Sequence, residues 1–175
     1  MQKNKLSPAM IIQKLGLTPL SGEGGLYRQT YRSALSLPAA ALPPWYGGEE
    51  KPCATAIFYL LTAELDSFSA LHRLKSDEIY HFYLGDPLEM TLLLADGASR
   101  QVLLGQDLFN GQEVQVVVPA GVWQGSRLAP GGRFALVGTT MAPGFTPDDY
   151  EGGLRADLLA RYPHEAARIR ALTRQ

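Results

Sequence analysis

From Ala54 onward the chain is a succession of short β-forming runs separated by turn chemistry, and this pattern restricts the fold more than any other feature. Residues 55–61, 79–84, 89–94, 101–104, 113–118 and 133–140 are rich in β-branched, aromatic and aliphatic side chains. The separators include Gly85-Asp86-Pro87, Asp96-Gly97, Asn110-Gly111 and Pro130-Gly131-Gly132. Asp-Gly between alternating runs is a strong hairpin signal. Strands this short and this regular, in a chain of 175 residues, predict one domain built as a β-sandwich or barrel.

The flanks read differently. Ser7 can cap a short helix, Pro8 suits its first position, and Ile11, Ile12 and Leu15 share a side before Gly16. A glycine-rich turn, Ser21 to Gly25, leads into a strand over 26–32. Residues 37–52 hold four prolines, two glycines and Trp45, and read as a long loop. After Pro143-Gly144, Thr146-Pro147 repeats the cap-plus-proline helix start, and 154–161 and 165–172 have helical spacing interrupted at Pro163. The prediction is a helix, a β core over about 22–142 and a helical tail over about 146–175, all within one domain spanning 1–175.

Composition excludes several classes of function. The formal net charge is -1, from 16 basic and 17 acidic residues, which argues against a nucleic-acid or anionic-membrane surface. Arg161, Arg168, Arg170 and Arg174 are the one local basic bias and read as a solvated helix face. Cys53 is the only cysteine, so neither a disulfide framework nor a thiolate metal cluster is available. The first residues lack an apolar signal core, and a cytoplasmic protein is the expectation.

Chemistry concentrates in two segments. In 78–83, alternation puts Glu78, Tyr80 and Phe82 on one face and Ile79, His81 and Tyr83 on the other. An acid on so apolar a strand needs a partner, and His72 can stand across from it. Such a pair can ligate a metal, act as acid and base, or form a structural hydrogen bond. His81 is expected to face away unless a bulge reverses it. Arg73 and Lys75 are candidates for the rim of a cavity, with a surface turn as the alternative. In 116–124, Pro119 and Gly121 form a tight turn that aims Trp123 or Gln124 into whatever it borders. Core packing is the more common fate of Trp123. On the N-terminal strand Arg28, Thr30 and Arg32 share a face by alternation. That face is an exposed edge or, if turned inward, an anion clamp. Glu23 in its glycine turn is ambiguous in the same way.

At these residues the chain resembles the cupin superfamily. The first cupin motif places two histidines, separated by one residue, ahead of a glutamate, with a glycine beyond it. Glu78 and Gly85 keep the glutamate-to-glycine spacing, and His72 matches the first histidine in a shorter variant. Leu74 stands at the second histidine position, and Asp66 at the glycine that opens the motif. In the second motif Pro119 and Gly121 match, while Gln124 replaces the histidine and Leu128 the closing asparagine. The segments 22–33, 68–83, 118–124 and 142–145 resemble single-domain cupins labelled as a domain of unknown function. The resemblance implies a double-stranded β-helix (jelly-roll) barrel and a homodimer that exchanges N-terminal strands. These cupins are similar to nucleotide-sugar epimerases, which work without metal through a histidine.

Three functions follow as expectations. The leading one is a small-molecule-binding cupin for a sugar-like ligand, acting as an isomerase or epimerase. His72 would carry the proton and Glu78 partner it, with Arg28, Arg73, Tyr80, Trp123 and Gln124 binding the ligand. The second is a metal-dependent dioxygenase or isomerase, with a divalent metal on His72, Glu78 and Gln124. The third is a non-catalytic ligand-binding or sensor module in the same pocket.

Overall fold

The computed structural model describes residues 6–63 and 67–174. Asp66 and the extreme N-terminus lie outside the described residues. In chain order the elements are α1 (Pro8–Leu15), β1 (Thr18–Pro19), β2 (Leu26–Arg32), β3 (Ser36–Leu37), β4 (Lys51–Pro52), β5 (Thr55–Thr62), β6 (Phe68–Arg73), β7 (Glu78–Gly85), β8 (Leu88–Leu93), β9 (Ser99–Leu104), β10 (Gln115–Val118), β11 (Trp123–Leu128), β12 (Phe134–Met141), β13 (Glu151–Gly152), α2 (Arg155–Arg161) and α3 (Ala166–Ala171).

Two antiparallel sheets face each other. One has the strand order β1-β2-β5-β12-β7-β10, the other β13-β6-β11-β8-β9. From β5 to β12 the chain passes repeatedly from one sheet to the other, with β8-β9 forming a hairpin inside a sheet. This is the predicted jelly roll. Alternation supplies its core: Tyr59, Leu61, Tyr80, Phe82, Val116, Val118 and Val137 of the first sheet meet Leu88, Met90, Leu92, Val102 and Leu104 of the second.

The helices cover the two outer faces. Ile11 of α1, with Leu17, packs on Leu26, Leu60, Phe134 and Leu136 of the first sheet. The Ser7 hydroxyl accepts from Met10 N at 3.4 Å, as the cap signal predicts. The tail places Leu158, Tyr162, Ile169 and Leu172 on Leu71, Leu93 and Trp123 of the second sheet. The Tyr162 hydroxyl donates to the Leu94 carbonyl at 2.8 Å, which satisfies its polar end. Thr146-Pro147 starts only a single 3-10 turn over Pro147–Asp149, not a helix. Among the described residues no helix is long and apolar enough to cross a membrane.

Gly85 shows why the motif glycine is needed. Its φ is 109°, and a Cβ there would stand 2.3 Å from the Phe134 carbonyl oxygen on β12. No side chain fits that approach.

Candidate functional site

Rows of side chains crossing the first sheet build a cavity at one end of the sandwich. Directly opposed residues on antiparallel strands share a face. Arg32 lies opposite Thr55, Thr55 opposite Met141, and Met141 opposite Glu78. The next row is Gln29, Ile57, Thr139 and Tyr80. A bulge in β2 sets the first row: the register with β5 shifts between Gln29 and Tyr31, so Thr30 has no opposite residue. The Thr30 hydroxyl instead donates to the Ala56 carbonyl at 3.1 Å. The extra residue moves Arg32 from the face of Arg28 to that of Tyr27 and Gln29. The cavity, about 390 Å³, is completed by His72 and Leu74, the turn carrying Glu23, and a strap with Phe145, Pro147 and Tyr150.

His72 is 1% exposed on β6, opposite Gln124 of β11. Its Nδ1 lies 2.8 Å from the Ala70 carbonyl oxygen. A carbonyl only accepts, so Nδ1 carries the proton and Nε2 is the nitrogen free to take one. Nε2 lies 3.8 Å from Glu23 Oε2, and Tyr150 stacks on the imidazole with ring centroids 5.2 Å apart. Glu23 is held from several sides. Its Oε1 accepts from the Ser69 hydroxyl at 2.8 Å, and its carbonyl accepts from Ala70 N at 2.9 Å. The next residue, Gly24, has φ 107°, and a Cβ there would fall 2.3 Å from the Phe68 carbonyl oxygen. This close approach explains the glycine after Glu23.

Glu78 is buried. Desolvation raises its carboxyl above the ordinary value near 4.5 and the Glu23 charge adds to that, while His72 and hydrogen bonds from Thr139 and Gln124 oppose it. Gln124 Nε2 donates to Glu78 Oε2 at 2.7 Å and so ties the two sheets together beneath the cavity. Burial also pushes the Tyr80 and Tyr59 hydroxyls well above their usual value, with nearby acids adding to the shift. Both phenols therefore remain neutral donors.

The structure divides the expected site residues into three groups. His72 and Glu78 both face the cavity. Gln124 and Tyr80 lie in the layer beneath, Gln124 bonded to Glu78 and Tyr80 in the inter-sheet core. Three residues are corrected. Arg28 is on the opposite face of β2, with its guanidinium 5.7 Å from the Phe58 ring. Trp123 points outward from its sheet into the contact with the helical tail. Arg73 is on that outer side too, 4.7 Å over the Trp123 ring and paired to Glu151 through two contacts of 2.8 Å. Alternation explains all three, since each is an odd number of steps from an inward residue of its strand. His81 faces outward as expected, 3.2 Å from Gln115 Nε2, because the register shift between β7 and β12 falls beyond it.

Sequence reasoning put Arg32 on one face with Arg28 and left open whether that face turns inward; it missed Tyr150 and the buried pair Lys51–Asp149. Lys51 is wholly buried and bonds both Asp149 and Thr146. Asp149 also accepts from Thr146 N at 2.8 Å. The pair pins the strap that stacks Tyr150 on His72. Only the buried lysine of a proline-rich loop could have signalled it, and that lysine reads as a surface residue in the sequence.

The residues assembled here do not fit a transition metal. Leu74 lines the cavity where the resemblance places a second histidine. Gln124 turns its amide N–H to Glu78 and so takes up a carboxylate oxygen that a metal would need. Among the described residues, no three His, Cys, Asp or Glu side chains are grouped to hold an ion.

Comparison with known proteins agrees with this architecture. The chain is similar to a hypothetical protein from Leishmania major, with TM-score 0.86 and 31% identity, covering 97% of this chain and 100% of that one. It is similar to protein SO0799 from Shewanella oneidensis, with TM-score 0.81 and 34% identity, over 97% and 98% of the two chains. An uncharacterized protein of Saccharomyces cerevisiae, YML079W, is 29% identical over 137 residues, which span 73% of this chain and 66% of that protein. An oxalate decarboxylase from Bacillus subtilis shares the fold alone, with TM-score 0.50 and 14% identity over 89% of this chain and 37% of that one. The family described as Cupin superfamily (DUF985) matches residues 9–152, and the chain belongs to that family.

Proposed function

We propose that the cavity binds a small, sugar-sized organic molecule and that His72 moves a proton on it without a metal. The observation that supports this reading is the fixed tautomer of His72: Nδ1 is committed to the Ala70 carbonyl, so Nε2 is the basic atom beside the cavity. A volume of about 390 Å³ falls within the range of small-ligand sites.

In the proposed step Nε2 takes a proton from a carbon beside a carbonyl. The C–H electron pair becomes the C=C bond of an enolate, and the negative charge moves to the carbonyl oxygen. Glu23 then faces an imidazolium at 3.8 Å. At an intermediate effective dielectric that attraction is on the order of 4 kcal/mol before desolvation. Glu78, whose carboxyl burial favours in its neutral form, supplies a hydrogen bond to the enolate oxygen. Protonation of the same carbon on its opposite face by solvent gives epimerisation; return of the proton to the former carbonyl carbon, as the neighbouring hydroxyl gives up its own proton, gives isomerisation.

The test joins a thermal-shift screen of sugars, sugar acids and nucleotide sugars to mass-spectrometric detection of solvent deuterium in the recovered ligand. His72→Gln is expected to abolish exchange while leaving the melting temperature close to wild type. Binding without exchange in the wild-type protein would replace this reading with that of a non-catalytic binding module. No binding from the whole panel would sink both.

A further inference from the structure

The cavity has opposite chemistry at its two ends. At the floor, Glu23 stands 3.8 Å from His72 Nε2, so an anionic group placed there would meet its carboxylate. At the mouth is Arg32, turned inward by the bulge at Thr30. Its guanidinium makes one contact with the strap, to the Phe145 carbonyl at 3.4 Å. Among the described residues it pairs with no carboxylate, whereas Arg73, Arg100, Arg127, Arg133 and Arg168 each do. A cation at a cavity mouth with most of its five N–H donors uncommitted is suited to a bidentate oxyanion.

The spacing of the two ends sets the size of the ligand. Arg32, Thr55, Met141 and Glu78 are successive neighbours across β2, β5, β12 and β7. Three inter-strand steps put the two ends about 14 Å apart along the sheet, measured at Cα. The side chains of Arg32 and Glu78 both reach into that span. A monosaccharide-sized body with a charged head group fits between them, while an acetate-sized ion would reach only one end.

We propose that the cavity selects ligands bearing one anionic oxygen head group, a carboxylate or a phosphate, which Arg32 receives at the mouth while the uncharged body extends to His72, Glu23 and Glu78. This rests on the reading of the cavity as a ligand site and adds its substrate class. Glu23 makes the charge requirement directional: the head group is fixed at the mouth, and the carbon presented to Nε2 belongs to the neutral end.

The experiment is calorimetric titration of glucose, glucuronate and glucose 6-phosphate into the wild-type protein, Arg32→Gln, Arg32→Lys and Arg28→Gln. Wild type is expected to bind one or both charged ligands about tenfold or more tighter than glucose, a preference that weakens with added salt. The uronate and phosphate arms decide which head group the site takes. Arg32→Gln is expected to erase the preference, Arg32→Lys to retain part of it, and Arg28→Gln to preserve it. Equal binding of glucose, a charge preference that survives Arg32→Gln, or no binding by either charged ligand overturns the inference. Glucose bound and deuterated without any charge preference would overturn it while leaving the proton-transfer reading intact. Charged ligands held by Arg32 but never deuterated would do the reverse.

Discussion

Replacing Lys51 with methionine removes the cation that pins the strap over His72. Both ends of the pair are sealed from solvent: Lys51 is 0% exposed and Asp149 2%. The carboxylate would keep its bonds from the Thr146 amide, at 2.8 Å, and from the Thr146 hydroxyl, at 3.3 Å, but no charge would balance it. Removing one member of a buried ion pair costs about 3–5 kcal/mol, since the other is left charged and desolvated. For a domain of this size each kcal/mol lowers the melting temperature by about 2–4 °C, so a fall of about 6–20 °C is expected. Urea denaturation of wild type, Lys51→Met, Asp149→Leu and the double variant measures the coupling. The double variant should lose clearly less than the sum of the single losses, because neither charge remains to be buried alone. A loss below about 1 kcal/mol for Lys51→Met, or losses that add to within about 0.5 kcal/mol, would refute the reasoning.

Other consequences can be checked on the same protein. The Glu78 carboxyl has its folded pKa raised above the ordinary value near 4.5, so its stabilising contribution is complete below that value and is lost as pH rises through the folded pKa. The stability of Glu78→Gln relative to wild type should therefore increase as pH is raised from about 4 toward neutrality; a flat or falling difference in denaturation experiments counts against the assignment. Trp123→Ala should destabilise by about 3–5 kcal/mol in denaturant melts, because the ring lies under the tail helices, yet leave ligand affinity in calorimetry unchanged below the transition. Gly24→Ala should both destabilise the fold and weaken ligand binding, since the added Cβ collides with the Phe68 carbonyl oxygen and displaces the turn that holds Glu23. Tight binding retained in that variant would show that Glu23 is not fixed by its turn.

Much of the fold was legible because it depends on local rules. Turn residues marked the strand ends, and simple alternation assigned Glu78, Tyr80 and Phe82 inward and His81 outward, as the structure places them. The glycine spacing after Glu78 was legible through the cupin resemblance, and its physical reason is that Gly85 meets backbone, not a variable side chain. The site was less legible. A single bulge at Thr30 exchanges the roles of Arg28 and Arg32, and nothing in the residue pattern announces it. Trp123 and Arg73 looked like cavity residues because they neighbour Gln124 and His72 in sequence, but adjacent residues on a strand face opposite sides.

By itself, then, the sequence determined the all-β core, its flanking helices and the loss of two metal-donor positions to Leu74 and Gln124. The core and the helices follow from periodicity and turn chemistry, each confined to a few neighbouring residues, while the two lost donor positions follow from the cupin resemblance. The tertiary structure alone decided which acid stands beside His72, which arginine faces inward, and that Lys51 pairs with Asp149 across 98 positions of chain. In a jelly roll the strands that touch are distant in sequence, so the partners in its cavity are set by how the sheets close and by where one extra residue shifts a register.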